Sequence, residues 1–315
     1  MSSKNFLHEH SQFKDLIQIV SGDLDIIPQL VEKDYWIMHC LWGLQQNLKF
    51  ELKGGTSLSK GFRVIDRFSE DLDIRIEPPA KMAVKSGKNQ IKQSHIESRR
   101  KFFDWIKDEI KIPGIESVER DITYDDELLR NGGIRLHYNS HFSMLAGVKD
   151  GILLEIGFDD TAPNKAVTIS SWANDYALSQ KVSFCDTRAI DVNCYCIEYT
   201  FVEKLQTVST KFRMQQKANA FPTNFMRHYY DIHQLLGRPE VQKYIGTADY
   251  EARKKVRFRT GDKLKISENE AFLLSDVLTK ELYEREYKKT SSLYYNDQVP
   301  FNDILARINQ YIDLL

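Results

Sequence analysis

The feature that most constrains this fold lies between residues 50 and 77, FELKGGTSLSKGFRVIDRFSEDLDIRIE. Its last part alternates. Leu72, Ile74 and Ile76 face one way, and Asp71, Asp73, Arg75 and Glu77 the other, which is the period of a half-buried strand. Pro78 and Pro79 stop it, because proline has no N–H to give to a ladder. Upstream, KFEL reads as a short strand, Gly54-Gly55 as a turn and TSLSKGFRVI as the start of a helix. Two strands joined through a glycine turn and a short helix must therefore be accommodated in one fold.

The rest of the chain supplies both kinds of element. SGDLDIIPQLVEKDYWIMHCLWGLQQN reads as helix, with Ile27, Leu30, Val31, Tyr35, Ile37, Leu41, Trp42 and Leu44 at helical spacing. Helix is expected again from Lys85 to Lys111, burying Ile91, Phe102, Phe103, Trp105, Ile106 and Ile110. Strand-like runs follow: IESVERDI, GGIRLHYNS, GILLEIGF and AVTISSW. VNCYCIEYTFVEKLQTVSTKFRMQQ passes from strand into helix, PTNFMRHYYDIHQLL reads as a helix with Pro222 near its start, and the remainder is mainly helical. This order predicts an α+β fold. A mixed sheet would fill residues 1–190 and a helical lobe residues 191–315. The boundary is expected near residues 185 to 198, although no Pro/Gly-rich linker marks it.

With 44 basic against 45 acidic residues, the chain has no overall charge bias towards nucleic acid, so any such surface must be local. Cys40, Cys185, Cys194 and Cys196 include no C-x-x-C pair, and Cys194 and Cys196 are expected on one strand face as core thiols. The N-terminus lacks an apolar signal region and no stretch reaches membrane-spanning length, which predicts a cytoplasmic protein.

Five groups of residues have chemical potential, and each has a plainer reading. Gly54-Gly55 is either a strand-to-helix turn or a loop whose backbone approaches phosphate at a helix start; the Gly-x4-Gly-Lys-Ser/Thr pattern is missing. Asp71 and Asp73 lie roughly 7 Å apart on one strand face, either as a solvated row or as oxygen ligands for magnesium. Glu155 sits among Ile152, Leu153 and Leu154, where a carboxylate is costly to bury unless paired or metal-bound. Lys204, Thr207 and Lys211 make a polar stripe that either grips a triphosphate or faces solvent. Asp231, four residues after Arg227, reads as half of a helix-surface ion pair.

Together these residues resemble the nucleotidyltransferase superfamily with its Pol β-like core: a Gly-Gly turn, an acid-x-acid strand, then a strand with a third acid. More narrowly, VEKDYWIMHCL, KGGTSLSKGF, RFSEDLDI, EKLQTVSTKFR and RHYYDIHQL resemble the AbiEii/AbiGii, or MenT-like, nucleotidyltransferase toxins over roughly residues 30 to 236. The resemblance implies a magnesium-dependent toxin of a toxin–antitoxin or phage-defence (abortive infection) system. Such a toxin takes a nucleoside triphosphate and transfers the nucleotide to RNA, often the 3′ acceptor end of tRNA, and is held in check by an antitoxin. It further implies that Gly54, Gly55 and Thr56 cradle the triphosphate, with Ser57, Lys60 and Ser69 close by. Asp71 and Asp73 would ligate magnesium and Glu155 would be the third acid. Lys204 would hold phosphate charge, and Asp231 would have a structural or nucleotide-orienting role. One departure is Arg227-His228, where the family commonly has Arg-Asp.

Overall fold

The computed structural model describes residues 5–143, 148–218, 220–222 and 224–315. The chain divides into two compact units: Met1–Phe62 with Ser69–Tyr195, and Arg63–Phe68 with Cys196–Leu315. The short segment Arg63–Phe68 thus interrupts the first unit and belongs to the second.

The first unit is built on one mixed sheet. Its strands are β1 (Phe50–Lys53), β2 (Asp71–Ile76), β3 (Ile115–Asp121), β4 (Asn131–Tyr138), β5 (Ile152–Gly157), β6 (Asn164–Ile169) and β7 (Ala189–Tyr195). They lie in the order β3-β4-β5-β2-β1-β7-β6. β2 pairs with β5 and β1 with β7 in parallel, and the other neighbours are antiparallel. This is the expected α+β arrangement. Leu72, Ile74, Ile134, Leu136, Leu154 and Ile156 fill one face and are completely buried or nearly so.

Helix α1 (Phe13–Leu24) and α2 (Pro28–Asn47) precede the sheet. A single helix is expected across this stretch, but the chain breaks at Asp25, whose φ is +54°. Pro28 explains the break: it sits at the first helical position and holds Ile27 extended. α2 packs against β2, β5 and β7 and against α1. Every residue from Leu30 to Leu41 is buried, including Glu32, Lys33 and Asp34, so α2 has no solvent face over these turns.

The long helix expected from Lys85 is shorter. α3 (Gly54–Thr56) follows β1 and widens into a π-helical turn over Ser57–Gly61, while α4 runs only from Gln93 to Glu109. Ile91 lies outside α4 and is 62% exposed rather than buried. Phe102, Phe103 and Ile106 are buried as expected, and the Phe103 ring lies against Gly132, where a Cβ would stand 3.0 Å away. The strand expected through Trp172 ends at Ile169; Ser171 caps α5 (Trp172–Ser179) by accepting from the Asn174 N–H at 3.1 Å. β7 ends at Tyr195, so Cys194 is a buried strand residue while Cys196 lies beyond the strand and is half-buried.

The second unit is helical: α6 (Ile197–Ala218), α7 (Arg227–Leu236), α8 (Pro239–Tyr244), α9 (Ala248–Arg257), α10 (Glu270–Leu273), α11 (Val277–Lys288) and α12 (Phe301–Tyr311). Pro222 lies ahead of α7 rather than in its first turn, and Thr223 lies outside the described residues. Tyr229, Tyr283, Tyr287 and Phe301 form an interlocked aromatic core. Segment Arg63–Phe68 is fastened to this unit through backbone and side chain: the Phe68 N–H donates to the Leu293 carbonyl at 2.7 Å and the Asp66 N–H to the Tyr230 hydroxyl at 3.1 Å.

Candidate active site

Strand register brings the acids of the first unit together. Asp73 is opposite Lys53 on β1 and opposite Glu155 on β5, and Asp71 is opposite Leu153. Residues in register project to the same face, so Asp71, Asp73 and Glu155 share the face opposite the apolar layer. Glu155 does not lie in a dry interior, as the surrounding hydrophobic run led one to expect: its side chain is 38% exposed. The run buries the strand, and the alternation turns this one carboxylate to the polar side.

The Gly-Gly turn is built around Asp73. Gly54 has φ +76°, a left-handed conformation, and a Cβ there would stand 2.0 Å from Asp73 Oδ2. Only glycine satisfies both conditions. The turn is tied to β2 by Thr56, whose hydroxyl donates to the Asp71 carbonyl at 2.6 Å, while the Ser57 hydroxyl donates to the Gly54 carbonyl at 3.0 Å. Gly55, Thr56 and Ser57 are buried, Gly54 and Ser69 half-buried. The two hydroxyls are thus committed to holding the turn.

Lys60 belongs to a different set of contacts from those expected. Its ammonium is 2.7 Å from Asp34 Oδ1 and lies over the Trp172 ring, 4.1 Å from the centroid. Asp34 also accepts the Trp172 N–H at 2.9 Å. Burial raises the Asp34 carboxyl above its ordinary range, against the pull of Lys60. Lys60 therefore neutralises a buried carboxylate and joins α2 to α5.

Sequence reasoning missed Lys149. Its ammonium is 2.6 Å from Asp71 Oδ2, 3.9 Å from Glu155 Oε1 and 5.0 Å from the centroid of the Tyr124 ring. Burial alone would lower its pKa, but Asp71, Tyr124 and Glu155 more than offset this and hold it above the ordinary lysine value. Its backbone is pinned from both sides. The Lys149 N–H donates to Glu70 Oε2 at 2.7 Å, and Lys33 donates to the carbonyls of Lys149 and, at 3.0 Å, Gly151. Burial lowers the Lys33 pKa to about 8. Three successive charges in an apolar helix, Glu32-Lys33-Asp34, were the only signal that α2 supports a polar site. Nothing in the local pattern marks Lys149.

Among the described residues, no three acid, histidine or cysteine side chains already stand in a metal-coordinating cluster. Two observations nevertheless fit a hard cation. Asp71 is 7% exposed, and its Oδ1 is buried with no hydrogen-bond partner among the described residues. The donor set is purely carboxylate oxygen, which suits magnesium.

Lys204 and Asp231 fall in the second unit and form a cluster of their own. Asp231 is fully buried rather than on the helix surface. Arg67 Nε and Nη2 donate to its two oxygens at 2.7 and 2.8 Å, and Lys204 Nζ lies 2.8 Å from Oδ2. Burial would raise the Asp231 carboxyl, but Arg67 and Lys204 pull it far below the usual carboxylate range. His228 Nδ1 is 3.5 Å from Lys204 Nζ, and burial together with Lys204 and Lys211 holds the imidazole well below its ordinary pKa. The remaining stripe residue, Thr207, donates its hydroxyl to the Glu203 carbonyl at 2.8 Å.

A mixed sheet bearing a glycine turn, an acid-x-acid strand and a third acid in register belongs to a nucleotidyltransferase-like α+β protein. The chain is a member of the AbiEii family: residues 36–307 match the model described as nucleotidyl transferase AbiEii toxin, type IV TA system. It is accordingly a nucleotidyltransferase toxin of a type IV toxin–antitoxin system, with an antitoxin as the partner class. No curated protein matches the sequence. No helix among the described residues is long and apolar enough to cross a membrane.

Proposed function

We propose that this toxin transfers a nucleoside monophosphate from a nucleoside triphosphate to RNA, the 3′ acceptor end of tRNA being the favoured target, in a magnesium-dependent reaction. The observation that carries this reading is the register of Asp73 with Glu155, with Asp71 on the same face and Gly54 closed on Asp73. Asp71, Asp73 and Glu155 are the residues that would hold magnesium, which when bound neutralises phosphate charge and lowers the pKa of the attacking hydroxyl. The chain's own contribution is positioning. Thr56 fastens the turn to β2, so the glycines and the first acid are held as one piece. The backbone N–H groups at the helix start offer the triphosphate hydrogen bonds. Within the second unit, Lys204, to which the resemblance assigns phosphate charge, is held by Asp231 together with Arg67.

An RNA substrate is supported by a local basic surface. Lys81, Lys85, Lys88 and Lys92, with Arg100 and Lys101, are exposed. Arg99 is not part of it: it is buried and donates to the carbonyls of Lys85, Gln90 and Leu128. A second basic stretch, residues 251–265, is used internally in part, while Lys255, Arg259, Lys263 and Lys265 are exposed. Arg253 and Arg257 pair with Glu203, and Lys254 is buried against the Leu315 carbonyl. The test is incubation with each labelled nucleoside triphosphate, magnesium and total RNA, followed by mass measurement of RNA 3′ ends. Extended tRNA supports the reading. Label in protein alone would redirect it to a protein hydroxyl, and shortened RNA would indicate a nuclease.

A further inference from the structure

We propose that Lys149 is an exchangeable counter-cation of the acidic face: a divalent ion displaces its ammonium from Asp71, and the freed charge then engages the phosphates of the nucleotide. The inference rests on the reading of Asp71, Asp73 and Glu155 as the metal-holding residues.

Three observations carry it. First, the ammonium sits within contact of Asp71 and next to Glu155, the position that a cation shared by these two acids would take. Lysine and a hard divalent ion compete for the same carboxylate charge. Second, Asp71 Oδ1 is buried and lacks a hydrogen-bond partner among the described residues, so the lysine satisfies only one oxygen of a carboxylate that can accept several bonds. The arrangement is electrostatically incomplete in the way that a substituted cation leaves it. Third, the backbone of Lys149 is anchored by Glu70 and Lys33 on either side, while its side chain is a flexible four-carbon stem. The ammonium can change partner while its attachment point stays fixed beside the acids. A residue held only to stabilise the loop would not need its charge directed at Asp71, since Lys33 and Glu70 already secure that loop.

A neutral side chain at this position removes the competitor for the metal and, at the same time, removes a cation from the triphosphate. The two effects have opposite signs, which a purely structural role would not produce. Full-length protein is titrated with Mn2+, followed by electron paramagnetic resonance of the free ion, and separately with inorganic tripolyphosphate at saturating Mg2+, followed by calorimetry. Lys149→Met and Lys149→Gln should bind Mn2+ about tenfold more tightly than wild type and tripolyphosphate about tenfold more weakly. Lys149→Arg, which keeps the charge, should stay within a factor of about three of wild type in both. Mn2+ affinity that is unchanged or weaker in a folded neutral variant overturns the exchange. Tripolyphosphate affinity that is unchanged overturns the transfer to phosphate. Asp71→Asn should abolish Mn2+ binding. If wild type and the Lys149 variants all fail to bind Mn2+, the metal-holding reading of the acids falls and this inference with it.

Discussion

Asp73 holds a carboxylate oxygen in the space that any side chain on Gly54 would need: a Cβ on Gly54 would lie 2.0 Å from Asp73 Oδ2. Turn and acid therefore cannot vary independently, although a helix and a loop separate them in sequence. Gly54→Ala should lower nucleotidyl transfer by about 10²-fold, because displacing a reacting group by 1 Å costs on that order. The left-handed backbone adds about 1–2 kcal/mol of destabilisation. In an Asp73→Ala background the same substitution should cost measurably less stability, because the oxygen it meets is gone. Chemical denaturation of the four proteins measures the coupling, and strict additivity would show that the contact has no energetic weight.

Asp71→Asn and Glu155→Gln should each reduce transfer by about 10²–10³-fold. Glu155→Gln, at a side chain that is 38% exposed, should change stability by no more than about 1 kcal/mol, whereas Asp71→Asn removes the buried counter-charge of Lys149 and should cost more. Activity assays with parallel thermal melts test this; activity retained by both variants would rule out this face as the reaction site.

Asp231→Asn should behave differently. It leaves Arg67 and Lys204 buried without their counter-charge, which costs about 3–5 kcal/mol at pH 7. Because the Asp231 carboxyl lies far below its unfolded value, its contribution is fully present above the ordinary carboxylate range and is lost only as pH falls through the folded value. The gap between variant and wild type should consequently persist from pH 7 to pH 5. Urea denaturation at both values checks it.

Lys60→Met should destabilise the protein by about 3 kcal/mol, since Asp34 is 2% exposed and loses its cation. Nucleotide affinity of the folded variant should stay within a factor of two or so of wild type. Calorimetric titration with tripolyphosphate at saturating Mg2+ separates this structural role from phosphate binding.

His39 makes stability fall in acid. Its Nε2 lies 2.8 Å from the Pro113 carbonyl and donates to it, and burial lowers the imidazole pKa to about 4. Between the unfolded value of about 6.5 and the folded value, the unfolded chain binds the extra proton, so stability drops as pH falls through that window. About 2 kcal/mol should be lost between pH 7 and pH 5 on account of this residue. His39→Gln, which retains a donor for Pro113, should flatten that slope in urea denaturation relative to wild type.

By itself, the sequence determined the elements whose pattern is periodic and local. The alternation of DLDIRI placed Asp71 and Asp73 on one strand face, and the glycines marked the turn ahead of it. The passage from strand-rich to helical segments foretold an α+β chain. Short-range punctuation also broke some readings, as Pro28 divided one expected helix into two. Tertiary structure decided what each charge does, because a side chain's role depends on partners distant in the chain. Asp231 reads as a surface residue until Arg67 is folded against it, and nothing near Lys60 in sequence announces that Asp34 and Trp172 will enclose it. Lys149 has no pattern at all until parallel pairing of β2 with β5 sets Asp71 and Glu155 beside it. Periodicity encodes which face a residue occupies, whereas electrostatic compensation is settled only when distant segments meet.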